Sequence, residues 1–300
     1  MRKYQTTWEE QKEKLKNRGL IFAVDSDYIR SLQAINYYRL SAYFLPFKKK
    51  AGSLEYYSPK LTLERVEAIY AFDKELRTLL FMIIEDIEIY ARTCIAYFIA
   101  HKLGRLAYLD PEIFRPEFDH VKFINMLKKS IANHRHTPIV QKYIREREFP
   151  IWVIIEFFSM GMLSRFYGGL DDEERQGIAH KMFGESVHRS VAVNWFICLT
   201  SLRNRCAHYE RLYYTNFQDI PALPNKQPYT YGQKLFGHVL ILKFMFPDKI
   251  KWLNYVDRIE NLVHRFSDYI DLDHIGFPPN WKDVLASEIR EQTSALHPHC

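Results

Sequence analysis

The sequence predicts an all-α fold, and three observations indicate it. Apolar residues recur at steps of three and four over most of the 300 positions, which is the period of a helix with one buried face. Thr, Asp, Pro and Gly stand where these stretches begin and end, as is typical of helix caps. We find no internal repeat, no alternating strand pattern and no glycine-rich phosphate loop. A Rossmann or P-loop enzyme is therefore disfavoured.

The composition indicates a globular protein that suits an anionic partner. Hydrophobic residues make up 47% and aromatic residues 15% of the chain, too many for a disordered protein. The formal net charge of +6 is compatible with a polyanion, although it does not identify one. A chain of this length can hold one domain or two, and we expect a single elaborated domain over residues 1–300.

Cysteine and histidine spacing predicts neither a metal site nor a disulfide framework. The four cysteines include no C-x-x-C pair: Cys94, Cys198, Cys206 and Cys300. Residues 133–136 (Asn-His-Arg-His) have no acidic or cysteine partner at useful spacing, so a solvated basic loop is the favoured interpretation. The tail 297–300 also carries metal-binding side chains, but terminal residues are usually poorly ordered. We therefore predict no metal and no cofactor.

Neither export nor membrane insertion is predicted. Residues 1–3 are followed by polar residues and not by the apolar run of a signal peptide. Four charged residues interrupt every window of the longest helix that could span a bilayer: Glu85, Asp86, Glu88 and Arg92. We expect a cytoplasmic protein.

Two short helices and then an aromatic, cationic segment are predicted at the N-terminal end. Residues 6–18 form the first helix with Gly19 as its cap, and residues 25–27 can cap a second helix that reaches Asn36. The next segment interleaves aromatic residues with cations: Tyr38, Arg39, Lys48, Lys49 and Lys50. These side chains either contact RNA by stacking and charge, or form a core-packing turn with a solvated lysine run. The second interpretation is favoured.

The longest predicted helix covers residues 62–102 and ends before Gly104. Its carboxylates invite an acid–base or metal interpretation, but Glu88 and Arg92 are four residues apart, and an ion pair is more economical. Glu156, in the apolar stretch 151–158, either pairs with an arginine of the helix that begins near residue 190 or lies at a boundary. Further helices are predicted at 118–132, 230–246, 249–270 and 281–290.

The stretch 190–212 begins as an apolar helix and ends in a dense polar cluster. The apolar positions recur at helical spacing: Val191, Trp195, Cys198, Leu199 and Leu202. The cluster that follows contains Arg203, Asn204, Arg205 and His208. Asn204 and His208 share a helix face, whereas Arg203 and His208 are about 140° apart on an ideal helix. A site that uses both is easier to build where two such helices face each other.

This cluster resembles the Arg-x4–6-His motif of HEPN ribonucleases, in the form Arg203-Asn204-x-x-x-His208. Two other matches lack its context, because Arg115 precedes a proline and Arg175 lies in an acidic helix start. Four segments are similar to the Abi_2 (AbiD/AbiF-like) abortive-infection family: residues 35–47, 150–153, 161–167 and 202–212. The family-like core thus spans about residues 19–212.

The resemblance implies an HEPN-type helical bundle with additional amino- and carboxy-terminal helices. It further implies a metal-independent endoribonuclease that acts as a growth-arresting toxin in antiphage defence. Arg203, Asn204 and His208 would be catalytic, in a composite site at a homodimer interface with RNA as substrate. Arg205, Arg211 and the cationic segment at 38–50 would bind RNA or support the site. A neutralising antitoxin, protein or small RNA, is compatible with the family.

Two other interpretations of the cluster stay open. The arginines can serve only to offset the negative dipole at the end of a helix. Alternatively, the chain is a non-catalytic RNA-binding or protein-interaction module on an HEPN scaffold. Cleavage of a labelled RNA by the wild-type protein, compared with His208→Ala, separates these interpretations from the enzyme.

Overall fold

A computed structural model describes residues 5–23, 28–51, 54–223 and 232–287 of the chain. These residues form thirteen α-helices, joined by loops and short 3-10 turns, and a single two-stranded hairpin. The predicted all-α fold is therefore confirmed. The helices are α1 Trp8–Asn17, α2 Tyr28–Ile35, α3 Tyr37–Ser41, α4 Leu63–Lys102, α5 His120–Asn133, α6 Pro138–Glu146, α7 Ile151–Ile154, α8 Met160–Gly169, α9 Asp172–Phe183, α10 Arg189–Ala207, α11 Leu235–Met245, α12 Lys249–Arg265 and α13 Trp281–Ala286.

Helix α4 is the central element around which the others pack. The helix has 40 residues and begins and ends where the sequence predicted. Thr62 caps its start by accepting a hydrogen bond from the Arg65 N–H, and Gly104 follows its end with φ 106°. Helices α7, α9, α10, α11 and α12 all contact it. The buried apolar residues form one contiguous cluster that extends from Leu15 to Leu285.

Helix α10 carries the polar cluster and lies between α4 and α8. Trp195, Leu199 and Leu202 are fully buried, as their helical spacing predicted. The Trp195 indole donates to the Ala222 carbonyl at 2.6 Å, which ties the loop after the cluster back to the middle of the helix. Burial of this stripe holds the carboxyl end of α10 in a defined position.

The hairpin is a difference from the sequence analysis, which found no strand. Strand β1 (Lys48–Ala51) pairs antiparallel with β2 (Leu54–Tyr57), with Lys48 opposite Tyr57. Each strand has four residues, too few for an alternating pattern to stand out, and the lysine run hides the alternation in β1. A 3-10 turn at Ala42–Phe47 connects α3 to this hairpin.

Several predicted boundaries shift in the structure. The last three predicted helices are present as α11, α12 and α13, each shorter within the described residues than the sequence suggested. Helices α6 and α8 were not predicted, and α6 begins at Pro138, a residue that favours the first turn of a helix. The expected cap at residues 25–27 and the tail at 297–300 lie outside the described residues.

Candidate active site

The polar cluster lies on the surface at the carboxyl end of α10. The helix ends at Ala207, and His208 follows it as the cap residue, with its N–H donating to the Asn204 carbonyl at 2.9 Å. Asn204 and His208 are exposed, and the Arg203 side chain is 31% exposed. All three side chains of the Arg-Asn-x3-His motif therefore reach solvent, as a site for a large substrate requires.

Arg203 turns toward α4. Its Nε lies 3.8 Å from Oε2 of Glu88, and its guanidinium carbon stands 5.8 Å from the centre of the Phe81 ring. The other Glu88 oxygen accepts a hydrogen bond from Arg92 at 2.5 Å. The predicted ion pair between Glu88 and Arg92 is thus confirmed. Glu88 also orients the motif arginine, a contact that sequence spacing alone does not reveal.

The structure decides between the two alternatives predicted for Glu156. Its Oε2 lies 3.5 Å from Arg92 of α4, and its side chain is 60% exposed. The suggested partner on the motif helix was therefore wrong, and the alternative of a boundary position is right. Arg92 lies close to Glu156 because its guanidinium also donates a hydrogen bond to the Phe158 carbonyl at 2.8 Å, beside the turn that carries Glu156.

Asn204 faces another part of the surface. It lines an open groove of about 790 Å³ between α8, α10 and residues 115–122. Arg203 and Asn204 are neighbours in sequence, yet one contacts α4 and the other borders the groove. A single copy of the motif therefore spreads its functional groups over two sides of the helix end.

A buried polar network holds the loop that follows His208. Asp73 of α4 is fully buried and accepts hydrogen bonds from the Tyr43 hydroxyl at 2.6 Å and from the N–H groups of Leu212 and Tyr213 at 3.2 and 2.8 Å. Arg77, one turn further along α4, forms an ion pair with Asp73. It also donates to the Glu210 carbonyl at 3.2 Å. Three separate segments of the chain meet at this one carboxylate.

The cationic segment near residue 40 reaches the same loop. Arg39 donates to the Tyr209 carbonyl at 2.6 Å, and Arg211 donates to the Ala42 carbonyl at 2.8 Å. Burial lowers the pKa of the Arg211 guanidinium. Tyr38, next to Arg39, is 86% exposed. Arg39 and Arg211 thus fasten the motif loop to α3 and its turn, and the Tyr38 side chain beside them lies in solvent.

The Arg205 side chain contacts an aromatic ring and a carboxylate of the protein itself. Its guanidinium carbon lies 4.8 Å from the centre of the Phe217 ring, and Nη1 lies 3.3 Å from the Glu210 carboxylate. Phe217 in turn stacks on buried His238 of α11, with ring centres 3.9 Å apart. Burial lowers the pKa of His238 to about 4, so this ring is neutral at physiological pH.

The lysine run lies on the hairpin, and none of the contacts between described residues joins it to the motif. Lys48 forms an ion pair with Glu55 of β2 at 2.7 Å, whereas Lys49 and Lys50 are exposed. The structure therefore brings Arg39 and Arg211 to the motif loop but leaves residues 48–50 on a separate element. Their role in RNA binding stays a prediction.

The described residues contain neither a cluster of metal ligands nor an exposed thiol. No group of three or more His, Cys, Asp or Glu side chains among them could hold a metal ion, and His134 lies in a loop after α5. Burial raises the pKa of Cys206 to about 12, so the only cysteine within the motif is a neutral thiol. Within the same residues, no helix is long and apolar enough to cross a membrane.

Sequence reasoning missed Asp73, Arg77 and Tyr43. A signal was present: Asp73 and Arg77 are four residues apart within the most apolar face of α4, between Phe72 and Leu80. Charges at such positions are rarely buried without a partner. Tyr43 lies 30 residues before Asp73, and the partners at residues 210–213 lie more than 130 residues away, so no spacing rule reaches them.

The part of the chain that carries the candidate site matches a known family. A family model described as Abi-like protein (Abi_2) matches residues 30–214, which is more than half of the chain. The chain belongs to the Abi-like family. Comparisons with curated proteins and with solved structures gave no match.

In this Abi-like chain, the matched region contains the motif and the buried polar network. It begins within α2, includes Arg39, Asp73 and the motif, and ends at Tyr214, one residue beyond the buried network. The predicted family membership is confirmed, with a match at 30–214 in place of the expected core at 19–212. An Abi-like family suggests a role in abortive infection, a defence against phage.

Proposed function

We propose that this Abi-like chain is a metal-independent HEPN-type endoribonuclease that arrests growth as a toxin in antiphage defence. The observation that carries the proposal is the exposed Arg203-Asn204-x3-His208 motif at the end of α10. A helix end that only neutralises its dipole needs no asparagine or histidine beside its arginines. It also needs no buried network that fixes the following loop.

These side chains match the groups that RNA cleavage without a metal requires. The 2′-hydroxyl of the RNA attacks the adjacent phosphorus while a general base removes its proton, and a general acid protonates the departing 5′-oxygen. Histidine titrates near neutrality and can serve as general base or as general acid. We assign this proton transfer to His208. The Arg203 guanidinium suits the phosphoryl oxygens, and Asn204 can orient a partner by hydrogen bonding.

We further propose that two copies of the chain build one site. Each chain contributes one His208, whereas the reaction uses both a base and an acid. Within one chain, Arg203 contacts α4 while Asn204 borders the groove, so one copy does not gather its groups around a single phosphate. A closed two-fold dimer would place both helix ends at one cleft. The two His208 side chains should then face each other across it.

The alternative is a non-catalytic module that binds RNA or another protein through the same surface. The contact between Arg203 and Glu88 favours it, because a paired arginine can have a purely structural role. This alternative predicts that neither the wild-type protein nor His208→Ala cleaves RNA.

The test is cleavage of an end-labelled single-stranded RNA in excess EDTA by the wild-type protein, His208→Ala and His264→Ala. His264 lies exposed on α12 and serves as the matched control. We expect wild-type and His264→Ala to cut the RNA, leaving a 2′,3′-cyclic phosphate and a 5′-hydroxyl. His208→Ala should not cut it. A substrate with deoxyribose at the cut position should resist, because it lacks the attacking hydroxyl.

Two results would contradict the mechanism. One is activity that EDTA abolishes and magnesium restores. The other is undiminished cutting by His208→Ala. In cells, sequencing of RNA ends after brief induction of the wild-type protein and of His208→Ala would locate the cut sites, and an unchanged set of ends would refute the toxin role.

A further inference from the structure

The groove beside Asn204 contains three cations that make no direct ion pair with a described carboxylate. Arg115, Lys122 and Arg165 line it, and none forms an ion pair with another described residue. Arg165 makes its hydrogen bond to the Met126 sulfur at 3.1 Å, and Arg115 donates to the Gly168 carbonyl at 2.8 Å. The Arg115 Nε is buried without a hydrogen-bond partner. Lys122 and Arg165 are exposed, so their side chains are accessible to an anion in the groove.

One helix face forms the floor of this groove and continues to the motif. Along α10, residues 197, 200, 201 and 204 recur at steps that place them on a single face, and His208 follows four residues later. From Val193 to Asn204 the floor is about 16 Å long at 1.5 Å per residue. Thr200, Ser201 and Asn204 offer hydroxyl and amide groups along it. The groove therefore reaches Asn204, about one helical turn before His208.

Three carboxylates share the groove: Glu117, Asp119 and Asp219. Asp119 caps α5 by accepting from the Lys122 N–H at 2.9 Å. Glu117 and Asp219 can accept hydrogen bonds from 2′-hydroxyls or from base amino groups, and 2′-hydroxyls distinguish RNA from DNA. A groove with cations for phosphates and acceptors for sugars and bases suits RNA better than a purely anionic ligand.

We propose that this groove binds the single-stranded RNA that flanks the scissile phosphate, with Arg115, Lys122 and Arg165 contacting its phosphates. The inference rests on the proposed function, since it assigns a path for the substrate of that site. Most contacts of this kind go to the phosphate backbone and fix the register of the RNA without reading its sequence. The groove thus sets which part of an RNA reaches His208.

The test compares two grooves of the same chain in the His208→Ala background, where the RNA stays intact. The groove variant is Lys122→Gln with Arg165→Gln, both exposed side chains. The matched control is Lys74→Gln with Arg258→Gln, because these residues line a separate groove between α4 and α12. Arg258 also contacts a methionine sulfur, that of Met82 at 3.6 Å.

We expect the groove variant to bind a labelled single-stranded RNA about tenfold more weakly. A plot of the logarithm of the binding constant against the logarithm of the salt concentration should also be less steep by about 1.4, which is about 0.7 for each lost phosphate contact. The control variant should bind like the parent. Equal losses in both variants, or no loss in either, would overturn the proposal. A groove variant that changes the oligomeric state in sedimentation without RNA would overturn it as well, because the groove would then be a protein interface.

A second measurement needs no substitution in the groove. RNA containing 4-thiouridine is crosslinked to His208→Ala, and the modified peptides are identified by mass spectrometry. Crosslinks should fall in residues 115–122, 161–169 and 193–204, which line the groove. Crosslinks confined to other surfaces, or no RNA binding at all, would refute the groove assignment.

The two proposals fail in different ways. Confirmed cleavage by the wild-type protein, with a groove variant that binds and cuts normally, would refute the groove and leave the ribonuclease. Groove-dependent RNA binding without any cleavage by the wild-type protein would refute the ribonuclease and leave the groove as an RNA-binding site.

Discussion

Asp73→Asn should destabilise the protein strongly, because it removes the negative charge that pairs with Arg77 in a buried network. The carboxylate is fully buried, and the Arg77 side chain that pairs with it is 5% exposed. Removing one partner of a buried ion pair typically costs about 3–5 kcal/mol, since the other charge is left uncompensated. For a chain of 300 residues, whose unfolding entropy is about 0.6 kcal/mol/K, we expect the melting temperature to fall by about 5–8 °C.

Asp86→Asn on the same helix is the matched control. Asp86 pairs with Lys251 at 2.8 Å, but its side chain is 29% exposed and that of Lys251 is 49% exposed. Exposed pairs of this kind contribute about 0–1 kcal/mol. Thermal unfolding followed by circular dichroism should therefore show a shift of no more than about 3 °C for this variant.

Hydrogen exchange shows which part of the protein is destabilised by Asp73→Asn. The Leu212 and Tyr213 amides donate to Asp73, so their protection should fall in Asp73→Asn while that of the α12 amides stays close to wild type. A double-mutant cycle with Arg77→Met should give a coupling free energy of about 0.5–3 kcal/mol. Equal melting temperatures for Asp73→Asn and Asp86→Asn would refute the conclusion that this network holds the motif loop.

Three further predictions concern the motif, the hairpin and a buried histidine. Arg203→Ala and His208→Ala should each abolish RNA cutting and leave dimerisation unchanged in sedimentation; a fully active monomer would contradict the composite site. Replacing the lysines at 48–50 with alanine should weaken RNA binding and flatten its salt dependence without unfolding the protein. An unchanged slope would show that the run is only solvated. Because burial holds the pKa of His238 near 4, against about 6.5 when unfolded, its contribution to stability is complete above pH 6.5. That contribution should be lost as pH falls from 6.5 toward 4, by at most about 3 kcal/mol. In chemical denaturation His238→Leu should remove this pH dependence, and His264→Leu should not.

Local pattern predicted the helices that carry the site. Helix α4 begins at the Thr62 cap and ends before Gly104 as expected, because caps and periodicity act over a few residues. The motif at the end of α10 and the pair of Glu88 with Arg92 were also visible at helical spacing. The hairpin at residues 48–57 was missed because four-residue strands give too short a pattern.

By itself the sequence determined the all-α class, the buried stripe of α10 and the family to which the chain belongs. These follow from contacts within a few turns or from a motif written in consecutive residues. Only the tertiary structure decided that Asp73 binds the loop after His208, that Arg39 and Arg211 fasten it, and that Glu156 pairs with α4. Those partners are separated by 64 to 170 residues, with Arg92 and Glu156 at the near end. The buried charge of Asp73 selects whichever partners packing brings within hydrogen-bond distance, because leaving it unpaired costs more than any local preference supplies. The other contacts form between segments that only the packing of distant helices and loops brings together.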